Sequence, residues 1–252
     1  MGAEIDIASL VPNFQWTQLL HGEQYLEIRK FPIPTHADTV NYPKLVEVVD
    51  KGKAAAITTG CTVKDKTSGE DLFYTEALVF VRGAGNFGGN PKGSDRGAAT
   101  RNTIPPQRDA DKIIEEATDE GQAAIYRLSG DLNPLHIDPS FSKQGGFARP
   151  ILHGLCFFGI AGKAIFQAYG QFRNIKVRFA GPVLPGQTVV TEMWKDAKSS
   201  TVIFQARVKE TGKLCIPGGS ADLHGDARSY DERNIISCLL VCSENERACH
   251  PI

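Results

Sequence analysis

Hydrophobic positions along the chain follow two different periods. Gln24–Phe31 roughly alternates, and Ala54–Lys64 and Leu72–Arg82 are rich in Val, Ile, Thr, Phe and Tyr, so all three read as strands. Thr67-Ser68-Gly69-Glu70 supplies turn chemistry between the last two and predicts a hairpin. From Ile151 to Tyr169 the spacing lengthens. Leu155, Phe158, Gly162, Ile165, Phe166 and Tyr169 recur near helical intervals, and Gly170 offers a stop. Three more strand-like runs follow at Ile175–Phe179, Thr188–Trp194 and Thr201–Lys209. A fourth, Lys213–Leu223, is weakened by Pro217-Gly218-Gly219. Ala110–Ala117 reads as a short helix, and Gln122–Leu128 as a strand or short helix.

Two stretches break the pattern. Gly83–Pro106 holds six glycines and three prolines without periodicity, as an exposed linker or long loop would. Ser129–Pro150 is a loop dense in Gly, Pro, Asp and Asn. One apolar helix beside antiparallel-looking strands predicts an α+β layer with the sheet wrapped around the helix. The expected units are residues 1–104, residues 105–223 and an atypical, disordered tail over 224–252.

Composition narrows the function classes. Lys plus Arg is 28 and Asp plus Glu is 29, so the net charge is −1 and no field favours nucleic acid or anionic lipid. The apolar stretch near Ile151–Phe166 is broken by His153, Gly154 and Lys163, too short and polar to span a bilayer. No signal-peptide pattern opens the chain. The six cysteines are irregularly spaced, which fits reduced thiols inside a cell.

The chemistry concentrates in Ser129-Gly-Asp131-Leu-Asn133-Pro-Leu-His136-Ile-Asp138-Pro139. An acid, an amide and an imidazole stand on a loop stiffened by two prolines. Asp131 and His136 can form an acid/base pair, and Asn133 can bond the same small reactant. Downstream, Gly154 opens the apolar helix, where unpaired N–H groups can stabilise a developing oxyanion such as that of a thioester. The apolar residues after it would line an acyl pocket. The plainer alternative is an Asx-turn around Asn133 and a satisfied buried His136. Asp138 is expected to cap or brace the loop, and His153 to pack or hydrogen-bond beside the site.

SGDLNPLHIDP followed by GF-x-x-PILHGL closely resembles the motif of MaoC-like (R)-specific enoyl-CoA hydratase 2 proteins. LHGEQYLE, FVRGAGNFGG, KVRFAGPVLPGQT and TEMWK extend the resemblance over roughly residues 7–223. The resemblance implies a double hot-dog fold, hydration of trans-2-enoyl-CoA to (3R)-3-hydroxyacyl-CoA in fatty-acid β-oxidation, and no metal. It makes Asp131 and His136 the acid/base pair, Asn133 a holder of the water and Gly154 N–H the oxyanion donor. No cofactor is expected, CoA being part of the substrate, and a homodimer is possible. The family carries a segment upstream of LHGEQYLE, so the first hot-dog half is expected to be incomplete. The family also implies a peroxisome, although the chain ends His250-Pro251-Ile252 instead of a Ser-Lys-Leu-type address, which leaves the cytosol open.

Other signals carry less. Gly83-Ala-Gly85-Asn-Phe-Gly88 matches a dinucleotide fingerprint, but the following Gly89-Asn-Pro91 forbids the helix it needs, leaving a flexible loop. Cys238, Cys242, Cys249 and His250 lack zinc-site spacing. His21 and His36 read as structural, and Phe157, Phe158 and Trp194 as core. Competing functions are a non-catalytic acyl-CoA-binding hot-dog protein and a hot-dog thioesterase.

Overall fold

The computed structural model describes residues 5–225. Nine strands form one antiparallel sheet: β1 (Leu19–Ile28), β2 (Thr39–Asp50), β3 (Ala54–Asp65), β4 (Asp71–Arg82), β5 (Lys112–Ala117), β6 (Phe172–Arg178), β7 (Thr188–Lys195), β8 (Thr201–Val208) and β9 (Leu214–Leu223). Their spatial order is β2-β3-β4-β1-β6-β9-β8-β7-β5. The first four strands make one half and the last five the other. The seam is the β1–β6 pair, from Glu23 opposite Arg178 to Glu27 opposite Asn174. Among the described residues there are three α-helices: α1 (Gln122–Tyr126), α2 (Pro139–Gln144) and the long α3 (Gly154–Tyr169). This is the expected α+β double hot-dog.

The second half owes its core to matched periods. Along β8 every second residue is buried, from Val202 through Phe204 and Ala206 to Val208. Across from the sheet, α3 buries Leu155, Phe158, Ala161 and Ile165 at helical spacing. Phe158 and Ile165 are fully enclosed, each worth roughly 1.5–3 kcal/mol of burial. The same core reaches across the seam to Leu26, Ile28, Cys61, Val63, Leu72 and Phe73. At Gly170 the chain takes a φ of 84°, and its N–H closes on the Phe166 carbonyl, ending α3 where the sequence placed the stop.

Among the described residues the first half has no long helix. A 3-10 turn at Ile7–Leu10 lies against it instead, and Ile7 and Val11 pack on Ala55, Ile57, Val81 and Ala84. The hairpin between β3 and β4 forms as expected, Asp65 accepting the Thr67 and Ser68 N–H groups.

Two expected elements change, and one strand appears where none was predicted. Ala110–Ala117 is no helix but strand β5, paired with the open edge of β7. Its Lys-Ile-Ile-Glu-Glu-Ala composition suits a helix locally, and pairing overrides that preference. The strand β2 carries no clear alternation because it is an edge, which is also why it tolerates Pro43. The loop Ser129–Pro150 contains α2, started by Asp138, whose carboxylate accepts the Ser140 and Phe141 N–H groups, with Pro139 at the first helical position.

The glycine-rich linker is anchored instead of free. Asp50 accepts N–H groups from Gly52, Asn86 and Gly88, and Arg96 pairs with Glu47 and Glu76. Further on, Arg101 grips Asp222 with two bonds, and Lys176 donates to the Arg101 carbonyl while pairing with Glu23. The linker therefore straps the first half to the second across the seam. His224 stacks on Phe31 at 3.7 Å, so the chain stays attached past Leu223. The rest of the expected tail, with Cys238, Cys242, Cys249 and His250, lies outside the described residues. No helix among the described residues is long and apolar enough to cross a membrane.

Candidate active site

The site is assembled from the end of α1, the loop after it and the start of α3. Gly130 turns the chain with a φ of 115°, a conformation open to glycine, and directs Asp131 inward. Asp131 is buried, and its Oδ1 accepts the Asn133 N–H at 3.0 Å. The Asn133 Oδ1 accepts the Leu135 N–H at 3.0 Å and caps the short Pro134–His136 turn. The Asx-turn reading of this loop is therefore correct as local structure. It coexists with a site because the turn uses Asp131 Oδ1 and leaves Oδ2 facing the imidazoles.

His136 is buried, with Nδ1 2.9 Å from the Ile151 carbonyl oxygen. A carbonyl only accepts, so Nδ1 carries the proton and Nε2 keeps its lone pair. That Nε2 lies 3.9 Å from Asp131 Oδ2. Burial disfavours the imidazolium; the Asp131 charge and the Ile151 carbonyl favour it; burial prevails and His136 sits below the ordinary histidine range. It is thus an uncharged acceptor at neutral pH.

Gly154 is the first residue of α3, and first-turn N–H groups have no partner within their helix. A Cβ added at Gly154 would meet only the Phe179 ring at 3.6–3.8 Å, an ordinary contact. Nothing in the protein demands glycine there, whereas close approach of an external oxygen to the N–H would.

His153 belongs to the same group. Its Nε2 lies 3.8 Å from Asp131 Oδ2, and its ring stacks on His136 with centroids 3.7 Å apart. Burial, with His136 alongside, pushes its pKa down to about 3. Donor atoms of Asp131, His136 and His153 fall within 4.8 Å of one another, as in a metal site. The two imidazole planes are only 27° apart, so they do not meet at bonding distance from both nitrogens. The arrangement suits hydrogen bonding to a small molecule better than ligation.

The apolar residues after Gly154 are packed into the core of the second half. Leu155, Phe157 and Phe158 are consumed by the core. The exposed aliphatics nearest in sequence to the Asp131–His136 loop are Ile125, Leu128, Leu132 and Ile137. Trp194 is core, donating its indole N–H to the Arg108 and Asp109 carbonyls. His21 lies edge-on to Phe179, and His36 is exposed.

Comparison with known proteins shows which chains this one resembles. Residues 101–216 match the MaoC like domain, and residues 1–83 match the MFE-2 hydratase 2 N-terminal domain. A peroxisomal hydratase-dehydrogenase-epimerase of Neurospora crassa is 61% identical over 85% of this chain. The chain spans about a quarter of that relative's length, 24%. A probable enoyl-CoA hydratase 2 of Dictyostelium discoideum is 43% identical over 83% of this chain and 71% of its own. Among solved structures, a MaoC-like dehydratase from Phytophthora capsici superimposes with a TM-score of 0.77 at 37% identity, covering 84% of this chain and 74% of that one.

Proposed function

The chain belongs to the MaoC-like hydratase 2 family, and on that premise we propose that it reversibly hydrates trans-2-enoyl-CoA to (3R)-3-hydroxyacyl-CoA in fatty-acid β-oxidation. The observation that carries this reading is the approach of His136 Nε2 to Asp131 Oδ2 at 3.9 Å, beside the N-terminus of α3. A water held between these groups and Asn133 meets an acceptor in uncharged His136. As the water oxygen bonds to C3, Nε2 takes its proton and Asp131 balances the imidazolium. The electron pair displaced from the double bond moves onto the thioester oxygen, which the Gly154 N–H stabilises. Proton transfer to C2 returns the pair and frees the imidazole. The chain's own groups complete the cycle, with CoA entering and leaving as part of substrate and product.

The named functions of the relatives favour a peroxisomal setting, and a homodimer is the expected assembly. The test is direct assay of the purified chain with crotonyl-CoA and a longer trans-2-enoyl-CoA, followed by chiral analysis. Loss of enoyl absorbance with (3R)-hydroxyacyl-CoA as product supports the reading. Release of free CoA thiol identifies a thioesterase, and acyl-CoA binding without turnover a non-catalytic protein; either result overturns it.

A further inference from the structure

His153 is 1% exposed, and neither ring nitrogen makes a well-formed hydrogen bond; the Asp131 carboxylate and main chain are its polar neighbours. Its ring stacks on His136 at 3.7 Å and lies tilted against Tyr126 at 4.8 Å and 44°. A phenyl ring there would stack equally well without enclosing two polar atoms that lack well-formed partners, an arrangement that costs stability. A fully enclosed imidazole in that position calls for a role beyond packing.

We propose that His153 is a positioning residue for the acid/base pair: an uncharged imidazole whose Nε2–H is held toward the Asp131 carboxylate and whose face sets the plane of His136. As far as it concerns turnover, this rests on the hydratase reading. The groups facing His153 are Asp131 and Arg127 from the loop, His136 from the turn that follows, and Tyr126 from α1. Burial and the stacked His136 keep it uncharged, so it does not compete for the proton that His136 carries in turnover. Its place in the chain adds a second consequence. The residue that orients Asp131 and His136 is peptide-bonded to Gly154, so one dipeptide at the start of α3 registers the acid/base pair against the oxyanion donor.

His153→Phe keeps the stack and removes the N–H. Its kcat is expected to fall roughly ten-fold or more, as loss of alignment does, with KM changed by less than about two-fold. The acidic limb of its kcat/KM–pH profile should move to higher pH, because the Asp131 carboxylate loses a donor. His153→Gln, which returns a donor without the ring, should recover part of kcat. A His153→Phe enzyme with wild-type kcat and pH profile overturns the proposal, whatever its melting temperature. Nitrogen NMR of the wild-type imidazoles covers the case of a variant that does not fold. An uncharged His153 with the proton on Nε2 across neutral pH is expected. A proton on Nδ1, or a charged ring, overturns the proposal. That readout holds even if the wild-type chain proves inactive toward enoyl-CoA, so the two readings fail separately.

Discussion

The His136 Nε2 and Asp131 Oδ2 atoms stand 3.9 Å apart on two buried side chains, too far for a direct hydrogen bond and close enough to share one water. Neither group needs the other to satisfy its fold: His136 is fixed through Nδ1 to Ile151, and Asp131 through Oδ1 to Asn133. His136→Ala and Asp131→Asn should each lower turnover by about 10²-fold or more, and Asp131→Asn, which keeps an oxygen for the Asn133 N–H, should leave the melting temperature near wild type. A near-wild-type rate in either variant removes that residue from the chemistry.

Gly154 separates function from stability more sharply. Its added Cβ would find only ordinary contact with Phe179, and alanine is the better helix former by up to about 1 kcal/mol. Gly154→Ala should therefore fold with equal or higher stability. Its methyl group stands where a thioester oxygen approaches, so kcat/KM should drop at least about ten-fold. Thermal melts paired with steady-state rates check this, and an active Gly154→Ala enzyme would move the oxyanion donor elsewhere.

Legibility in the sequence followed distance along the chain. Asp131, His136 and Gly154 fall within one short stretch, and α3 announces itself by a sustained period ending at Gly170. Strand β5 was not legible, because its identity comes from β7, and Glu115 sits opposite Val190 for reasons no local window contains. The strand β2 hid for the opposite reason: as an edge it buries little until Val49 and Asp50. His153 was visible as a neighbour of the site, read as packing or hydrogen-bonding there, but its stack on His136 was not legible, since it joins the start of α3 to a turn seventeen positions upstream. Asn133 shows how one residue serves two readings, its Oδ1 capping a turn beside the reacting groups.

The strap across the seam gives a prediction about stability alone. Asp222 accepts from Arg101, Asn174 and Thr201, partners drawn from the linker, β6 and β8. Burial pushes its carboxyl up, and the bonds from Arg101, Thr201 and Asn174 outweigh this, holding it below the usual carboxylate range. Asp222→Ala leaves those donors without an acceptor and should cost roughly 1–3 kcal/mol. The effect should appear in urea or thermal unfolding, with KM for enoyl-CoA unchanged. The depressed carboxyl stabilises the fold above its unfolded value of 3.8, and that contribution is lost as pH falls through the lower folded value. Asp222→Asn should flatten this acid limb.

His153 governs a different, milder window. Its pKa is about 3 in the fold against 6.5 when exposed, so the folded ring refuses a proton that the unfolded chain accepts. The stability this carries is complete above 6.5 and is lost as pH falls toward 3. Within that window the free energy of unfolding should decline steadily as pH falls, because the unfolded chain binds a proton that the folded ring refuses. His136, also lowered by burial, adds in the same direction. Replacing His153 by Phe deletes one proton-binding site from the unfolded chain alone, so the slope of stability against pH between about 6 and 4 should become shallower. Denaturant melts at closely spaced pH values measure that slope. An unchanged slope in His153→Phe would mean that the buried ring takes its proton in the folded state, and the charge-free stack on His136 would have to be abandoned.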